Sequence, residues 1–192
     1  MSTEQQPTSV PTPPRPTSDP ALTGDVLDGM RDIPDFPING VVFKDFTPLL
    51  LDPALRDRIV ADTVQRQQGR VDVVAGIEAR GFILGAMIAH ALGVGFVPVR
   101  KEGKLPSAVH SRSYALEYGT ATLEIHQDAV SNGERVLVVD DVLATGGTLA
   151  ATCELIERCG ASVAAIELVL EIGALHGRDK LAGYDVWSIV TV

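Results

Sequence analysis

Four consecutive β-favouring apolar residues, Val136 to Val139, run directly into two acids, Asp140 and Asp141. Thr145-Gly146-Gly147-Thr148 follows, immediately ahead of a helix-like run from Leu149 to Arg158. An unbroken apolar run suits a strand buried on both faces, as in a parallel sheet covered by helices. The acids then fall where that strand ends, and open α/β sheets bind their ligands at the carboxyl ends of their strands. Gly146 and Gly147 let the backbone bend with its N–H groups turned inward. The hydroxyls of Thr145 and Thr148 add donors, and the following helix adds its positive end. The segment Ala144 to Thr148 is therefore expected to cradle a phosphate monoester.

The acids narrow the ligand further. Carboxylates repel phosphate, so a pair beside a phosphate cradle makes sense facing neutral hydroxyls or a metal-bridged group, as a ribose 5-phosphate offers. The loop lacks the lysine of a Walker A sequence and does not match G-x-G-x-x-G, which argues against a nucleoside triphosphatase and a dinucleotide-binding fold.

The rest of the chain alternates helical and strand patterns. Asp52-Pro53 opens a helix carrying Leu55, Ile59, Val60 and Val64 that ends near Gly69. A strand is expected at Val71–Val74, a tight loop at Gly76–Gly81, a helix at Phe82–Leu92 closed by Gly93, and a strand at Phe96–Val99. Gly160 closes the helix after the phosphate loop, and Val163–Leu170 completes a β-α-β unit. The fold class predicted is α/β, a central mainly parallel sheet flanked by helices.

Composition sets limits. The 192 residues suit one domain with a sizeable core. A net charge of -9 argues against a nucleic-acid binder, and no apolar run is long enough for a membrane span. Cys153 and Cys159, six apart on one predicted helix, cannot pair while it is intact, which suggests a reduced, cytoplasmic setting. Six of the 12 prolines lie in Met1 to Pro20 among Ser, Thr and Gln. Residues 1–21 are accordingly expected to form a disordered tail, and residues 22–192 a single domain.

Two further segments suit a second anion. Glu78-Ala79-Arg80 lies in a loop between a strand and a helix, so its N–H groups and guanidinium can face a charged ligand. Arg100, Lys101 and Lys104 gather cations at the next strand's end, as a departing polyanion requires. Ser111 to Tyr118 alternates polar and aromatic residues ahead of a strand-like run ending at His126. His126 itself is read as structural.

The run Val138 to Thr148 resembles the phosphoribosyl diphosphate (PRPP) signature of the type I phosphoribosyltransferases. The segment Asp35 to Leu50, Gly76-Ile77-Glu78-Ala79-Arg80-Gly81-Phe82, Arg100-Lys101-Glu102-Gly103-Lys104-Leu105-Pro106, Leu116-Glu117-Tyr118-Gly119 and Gly177-Arg178-Asp179-Lys180-Leu181 resemble that family's adenine-using branch. The resemblance implies a type I phosphoribosyltransferase fold with a small hood at about 33–50 and a mobile loop at about 102–118. It also implies a homodimer making AMP and pyrophosphate from adenine and PRPP with Mg²⁺, the metal bound mainly through PRPP and pyrophosphate rather than by protein ligands.

By the same resemblance, Asp140 and Asp141 hold the ribose hydroxyls and Ala144 to Thr148 the 5-phosphate. Glu78, Ala79, Arg80, Arg100, Lys101 and Lys104 hold pyrophosphate, with a cis non-proline peptide near Glu78-Ala79. Val42 and Phe43 sandwich the base, main-chain groups around Val42 and Lys44 read its edge, Glu117 handles its proton, and Tyr118 belongs to the closing loop. The alternatives left open are a phosphoribosyltransferase for another base and a PRPP-sensing regulatory protein.

Overall fold

The computed structural model describes residues 19–36, 38–40, 42–115 and 119–192. The chain opens with α1 (Pro20–Gly29) and the hairpin β1 (Arg31–Pro34) and β2 (Val42–Asp45), then a 3₁₀ turn at Thr47–Leu51. The elements α2 (Pro53–Gln67), β3 (Val73–Ile77), α3 (Arg80–Leu92) and β4 (Gly95–Lys101) follow. A second hairpin, β5 (Val109–Ala115) and β6 (Thr120–His126), precedes β7 (Arg135–Leu143), α4 (Gly147–Arg158) and β8 (Ser162–Glu171). Short 3₁₀ turns at Gly173–Leu175 and Gly177–Leu181 lead to β9 (Val186–Thr191).

Seven strands form one sheet in the order β5-β6-β4-β3-β7-β8-β9. The run β4-β3-β7-β8-β9 is parallel throughout, and β6 and β5 add antiparallel ladders at the β4 edge. The mainly parallel α/β sheet predicted from the apolar runs is thus present. β3 pairs with its successor β4 on one side and with β7 on the other. The winding direction reverses between β3 and β7, which is where open α/β sheets make a binding crevice.

Alternation along the strands decides which helix each residue meets. Val73, Ala75 and Ile77 of β3 join Val136, Val138 and Ile166 under Leu149, Cys153 and Ile156 of α4. Val74, Leu137, Val139 and Ala165 face the opposite way and pack with Leu22 and Val26 of α1, Ile59 of α2, and Leu84 and Ile88 of α3. Close approach of α3 to the sheet needs glycine: a Cβ on Gly85 would come within 2.9 Å of the Phe96 ring, and one on Gly76 within 2.7 Å of it.

Several boundaries move from those predicted. α1 was not anticipated; it starts at Pro20, ahead of the 21/22 domain boundary, capped by Asp19, whose side chain accepts from the Ala21 N–H. Leu22 and Val26 are buried, and the Thr23 hydroxyl donates to the Ile189 carbonyl at 3.1 Å, so tertiary burial makes this short helix part of the domain. β3 runs three residues past Val74, α3 begins two residues before Phe82 and α4 two before Leu149. The Asp52-Pro53 start of α2 appears as predicted, with the Asp52 carboxylate accepting from the N–H groups of Ala54 and Leu55. Of the segment 102–118, Val109–Ala115 is a strand paired with β6. Residues 1–18, which hold most of the proline-rich segment, lie outside the described residues, as do 37, 41 and 116–118.

A buried charge cluster ties α2 to the far half of the sheet. Arg66 donates to Asp62 at 2.5 Å and to Glu167 of β8 at 2.8 Å, and its guanidinium lies 5.1 Å over the Trp187 ring. Burial pushes the Glu167 carboxyl above its ordinary value even though Arg66 and Gln67 favour the charged form. Arg66→Met removes the only cation paired to Glu167 among the described residues and is expected to cost about 3–5 kcal/mol, lowering Tm by roughly 10 °C. A carboxyl whose pKa is raised by folding stabilises below its ordinary pKa and loses that contribution as pH rises. Part of the lost stability of Arg66→Met should therefore return on acidification in thermal melts from pH 7 to pH 5 (about those values).

Candidate active site

Two helices point their amino termini at the crevice between β3 and β7. The N-cap of α4 is Gly146, held at φ +76°, with no side chain capping the first turn and no acid in it. The N-cap of α3 is Ala79, also without a side-chain cap hydrogen bond and without an acid in the first turn. The first N–H groups of a helix have no intrahelical acceptor, and the macrodipole adds partial positive charge there, so each uncapped end suits an anion. The peptide joining Glu78 to Ala79, directly before α3, is cis, as the resemblance implied.

A cleft of about 380 Å³ opens between these ends. Glu78, Ala79 and Arg80 line it from the β3–α3 loop, and Ala144, Thr145, Gly146 and Thr148 from the β7–α4 loop. Asp140 and Asp141 form its floor, and Lys101 its rim from the end of β4. Segments some sixty residues apart in sequence thus converge, because the parallel strands carrying them end on the same side of the sheet. Tyr114 of β5 also lines the cleft. Sequence reading placed it only within the closing loop expected at about 102–118, since nothing local to Tyr114 signals a contact with Thr148, 34 residues away.

The acids are held under electrostatic tension. Asp141 is only 4 % exposed, and its carboxylate pairs with Arg80 at 2.9 Å. Asp140 accepts the Asp141 N–H at 2.9 Å. Burial, and then the neighbouring Asp141 charge, push the Asp140 carboxyl well above its usual range. Burial also raises Asp141, with Arg80 opposing it. Glu78 goes the other way: burial works against its charge, but the Lys101 N–H and the Arg100 guanidinium outweigh it and hold the carboxyl below its usual value. Those partners lie at 3.0 Å and 3.3 Å.

The remaining predicted residues sit around this cleft rather than in its wall. Arg100 is turned to Glu78 and donates to the Lys104 carbonyl at 3.0 Å, while Lys104 itself is exposed. Gly147 is buried as the first residue of α4. On β2, Phe43 meets Phe36 edge-on at 5.3 Å, and Arg80 lies 5.3 Å over the Phe43 ring, so this one guanidinium links the hood strand to Asp141. Val42 is 55 % exposed beside it. The Lys44 ammonium is engaged by Asp32 across the hairpin at 2.6 Å. Glu117 and Tyr118 lie outside the described residues.

The β7–α4 loop is backed by Gly177, a residue of a motif singled out in the sequence but with no local signal that it meets this loop. A Cβ on Gly177 would lie 2.7 Å from Leu143 Cδ1 and 3.0 Å from the Gly146 nitrogen, and would collide with the Ala144 carbonyl. Arg178 fixes this contact by donating to Glu171 at 2.7 Å, to the Ser188 hydroxyl at 3.1 Å and to the Val186 carbonyl at 3.0 Å.

Known proteins share this fold and much of its sequence. Residues 53–191 match the family profile described as the phosphoribosyl transferase domain. An adenine phosphoribosyltransferase of a Nocardioides species is 56% identical over 168 residues, covering 85% of this chain and 91% of the relative. That of Salinispora tropica is 57% identical over 170 residues, covering 87% and 89%. Among solved structures, adenine phosphoribosyltransferase from Thermoanaerobacter pseudethanolicus superimposes with a TM-score of 0.85 at 48% identity, covering 88% of this chain and 99% of that one. The Saccharomyces cerevisiae enzyme, solved with an imino-altritol bisphosphate and adenine, gives a TM-score of 0.84 at 36% identity, covering 88% and 98%.

Two substitutions probe the site's construction. Gly177→Ala should displace the β7–α4 loop and lower kcat/KM by at least tenfold while the circular-dichroism spectrum stays native. Asp140→Asn keeps the oxygen that accepts the Asp141 N–H but removes one of two facing charges. Because folding raises this carboxyl, its ionisation at neutral pH opposes stability, so Asn should raise Tm at about pH 7–8 and lose that advantage as pH falls, with turnover reduced throughout.

Proposed function

The chain belongs to the phosphoribosyltransferase family, and from that premise we infer that it acts as an adenine phosphoribosyltransferase, giving AMP and pyrophosphate from adenine and PRPP. The observation that carries this reading is one cleft with two uncapped helix ends and an acid pair between them. A ligand with anionic groups at both ends of a neutral polyol is what such a cleft accommodates, and PRPP is that ligand. A single-anion ligand would leave one helix end unused.

In the reaction, N9 of adenine forms a bond to the ribose C1 as the C1–oxygen bond to pyrophosphate breaks, and the base gives up a proton. We assign the 5-phosphate to Ala144, Thr145, Gly146, Gly147 and Thr148. Asp140 and Asp141 take the ribose hydroxyls and stabilise the positive charge that develops on the sugar. Glu78, Ala79, Arg80, Arg100, Lys101 and Lys104 receive the departing pyrophosphate. Arg80 has to leave Asp141 at least in part to do so, which frees that carboxylate for the sugar. Val42 and Phe43 cover the flat faces of adenine, main-chain groups at Val42 and Lys44 read its edge, and Glu117 takes the base proton with Tyr118 closing over it.

Magnesium suits this donor set. Among the described residues no group of three or more His, Cys, Asp or Glu side chains could hold a metal ion. Asp140 and Asp141 are hard oxygen donors, and Mg²⁺ commonly keeps several waters and is held through one or two carboxylates plus substrate phosphates. Bound mainly through PRPP and pyrophosphate, it would screen the diphosphate charge. The proposal extends to a cytoplasmic homodimer; among the described residues no helix is long and apolar enough to cross a membrane.

Purified protein supplied with PRPP, Mg²⁺ and a panel of free bases should release pyrophosphate with adenine and not with hypoxanthine, guanine, xanthine or orotate. Turnover with another base in preference would overturn the base assignment. Asp141→Asn should lower kcat by about 10²–10³ without unfolding the chain, as expected for a group acting on developing charge. Full activity in that variant would remove the acid pair from the mechanism.

A further inference from the structure

We propose that Tyr114 is a positioning residue for the 5-phosphate, a hydroxyl relay that orients the Thr148 side chain toward the phosphate. The inference rests on the assignment of the β7–α4 loop to that phosphate. Thr148 Oγ1 lies 3.2 Å from Tyr114 Oη and donates to it. The contact joins the end of β5 to the first turn of α4, and both residues line the cleft.

A threonine hydroxyl carries one proton and two lone pairs. In the free site the Thr148 proton is directed at Tyr114. A phosphate oxygen is a stronger acceptor than a phenol, because hydrogen bonds to ionised groups are shorter and stronger. When phosphate arrives, the Thr148 proton turns to it and leaves a lone pair facing Tyr114. The phenol O–H then donates to Thr148 Oγ1, so the pair keeps its hydrogen bond with the direction reversed. A donor that itself accepts a hydrogen bond is polarised and binds its acceptor more strongly. Serine or threonine without this partner would have free rotors and a weaker hold on the anion.

The placement of the ring shows why the hydroxyl sits where it does. A Cβ on Gly147 would come within 3.1 Å of Tyr114 Cδ2 and 3.3 Å of the Ala115 carbonyl, so glycine at 147 lets the aromatic ring lie against the loop backbone. Away from the cleft, β5 is fastened to α4 independently. Arg112 pairs with Glu154 at 2.6 Å, and Arg158 donates to the Ser111 carbonyl at 2.9 Å. Those contacts hold the strand without calling on the Tyr114 hydroxyl, whose partner is Thr148.

The test compares AMP with adenosine by calorimetry on the full chain, for the parent, Tyr114→Phe, Thr148→Val, the double variant and Arg112→Ala. Tyr114→Phe should weaken AMP about tenfold, leave adenosine unchanged, and raise KM for PRPP while leaving KM for adenine in place. The double variant should lose no more than Thr148→Val alone, because the phenol acts through the threonine. Arg112→Ala should bind AMP like the parent. Unchanged AMP affinity in Tyr114→Phe, equal loss of adenosine, multiplying losses in the double variant, or the same AMP defect in Arg112→Ala would each overturn the relay. If Thr148→Val itself bound AMP normally, the phosphate assignment of the loop would fall as well.

Discussion

The ion pair between Arg80 and Asp141, at 2.9 Å, joins the two loops on which the cleft depends. One partner begins α3 and the other lies near the end of β7, so the contact spans the point where the sheet reverses its winding. The same guanidinium covers Phe43 and reaches 6.0 Å from Phe46, which draws the hood hairpin into the arrangement. Without a cation here, two carboxylates would face one another with burial raising both. Arg80 offsets that repulsion in part, so the acid pair is kept buried at the cleft at a cost in stability.

The β7–α4 loop is shaped from behind as much as from its own residues. Gly146 bends through the left-handed region, and Gly177 approaches so closely that neither position has room for a methyl group. Arg178 locks the approach by binding Glu171, whose carboxyl is held below its usual value because Arg178 and Ser188 outweigh the cost of burial. A similar economy of space appears at Gly81, where a Cβ would lie 2.6 Å from the Val139 carbonyl and 3.1 Å from the Asp140 carboxylate. Helix ends can approach the strand ends, and hence the ligand, only because these three side chains are hydrogen atoms.

Much of this was legible in the chain. The apolar run, the acids and the Thr-Gly-Gly-Thr bend marked a strand, a turn and a helix by local chemistry alone, although β7 continues through Asp140 and Asp141 to Leu143 instead of ending at the acids; the Asp52-Pro53 cap marked the start of α2. α1 and β9 were missed for different reasons. α1 lies next to a proline-rich segment and is kept by Leu22 and Val26 docking on β9, a contact without a local trace. β9 follows two 3₁₀ turns instead of a helix, so no β-α-β pattern announces it, and its pairing with β8 is a tertiary fact. Tyr114 and Gly177 act on a loop that lies 30 or more residues away in sequence, beyond the reach of any periodicity.

From the chain's letters alone came the parallel sheet and the loops of small, hydroxyl-bearing and acidic residues at its strand ends. Periodicity and loop composition are local properties, and they survive in a one-dimensional reading. Only the folded chain decided which groups meet. It set Arg80 on Asp141 rather than in solvent, gave Lys44 to Asp32, and brought β5 onto the first turn of α4. Those outcomes depend on strand order and on distances of a few ångströms, and strand order follows from which apolar faces bury one another best across the whole domain.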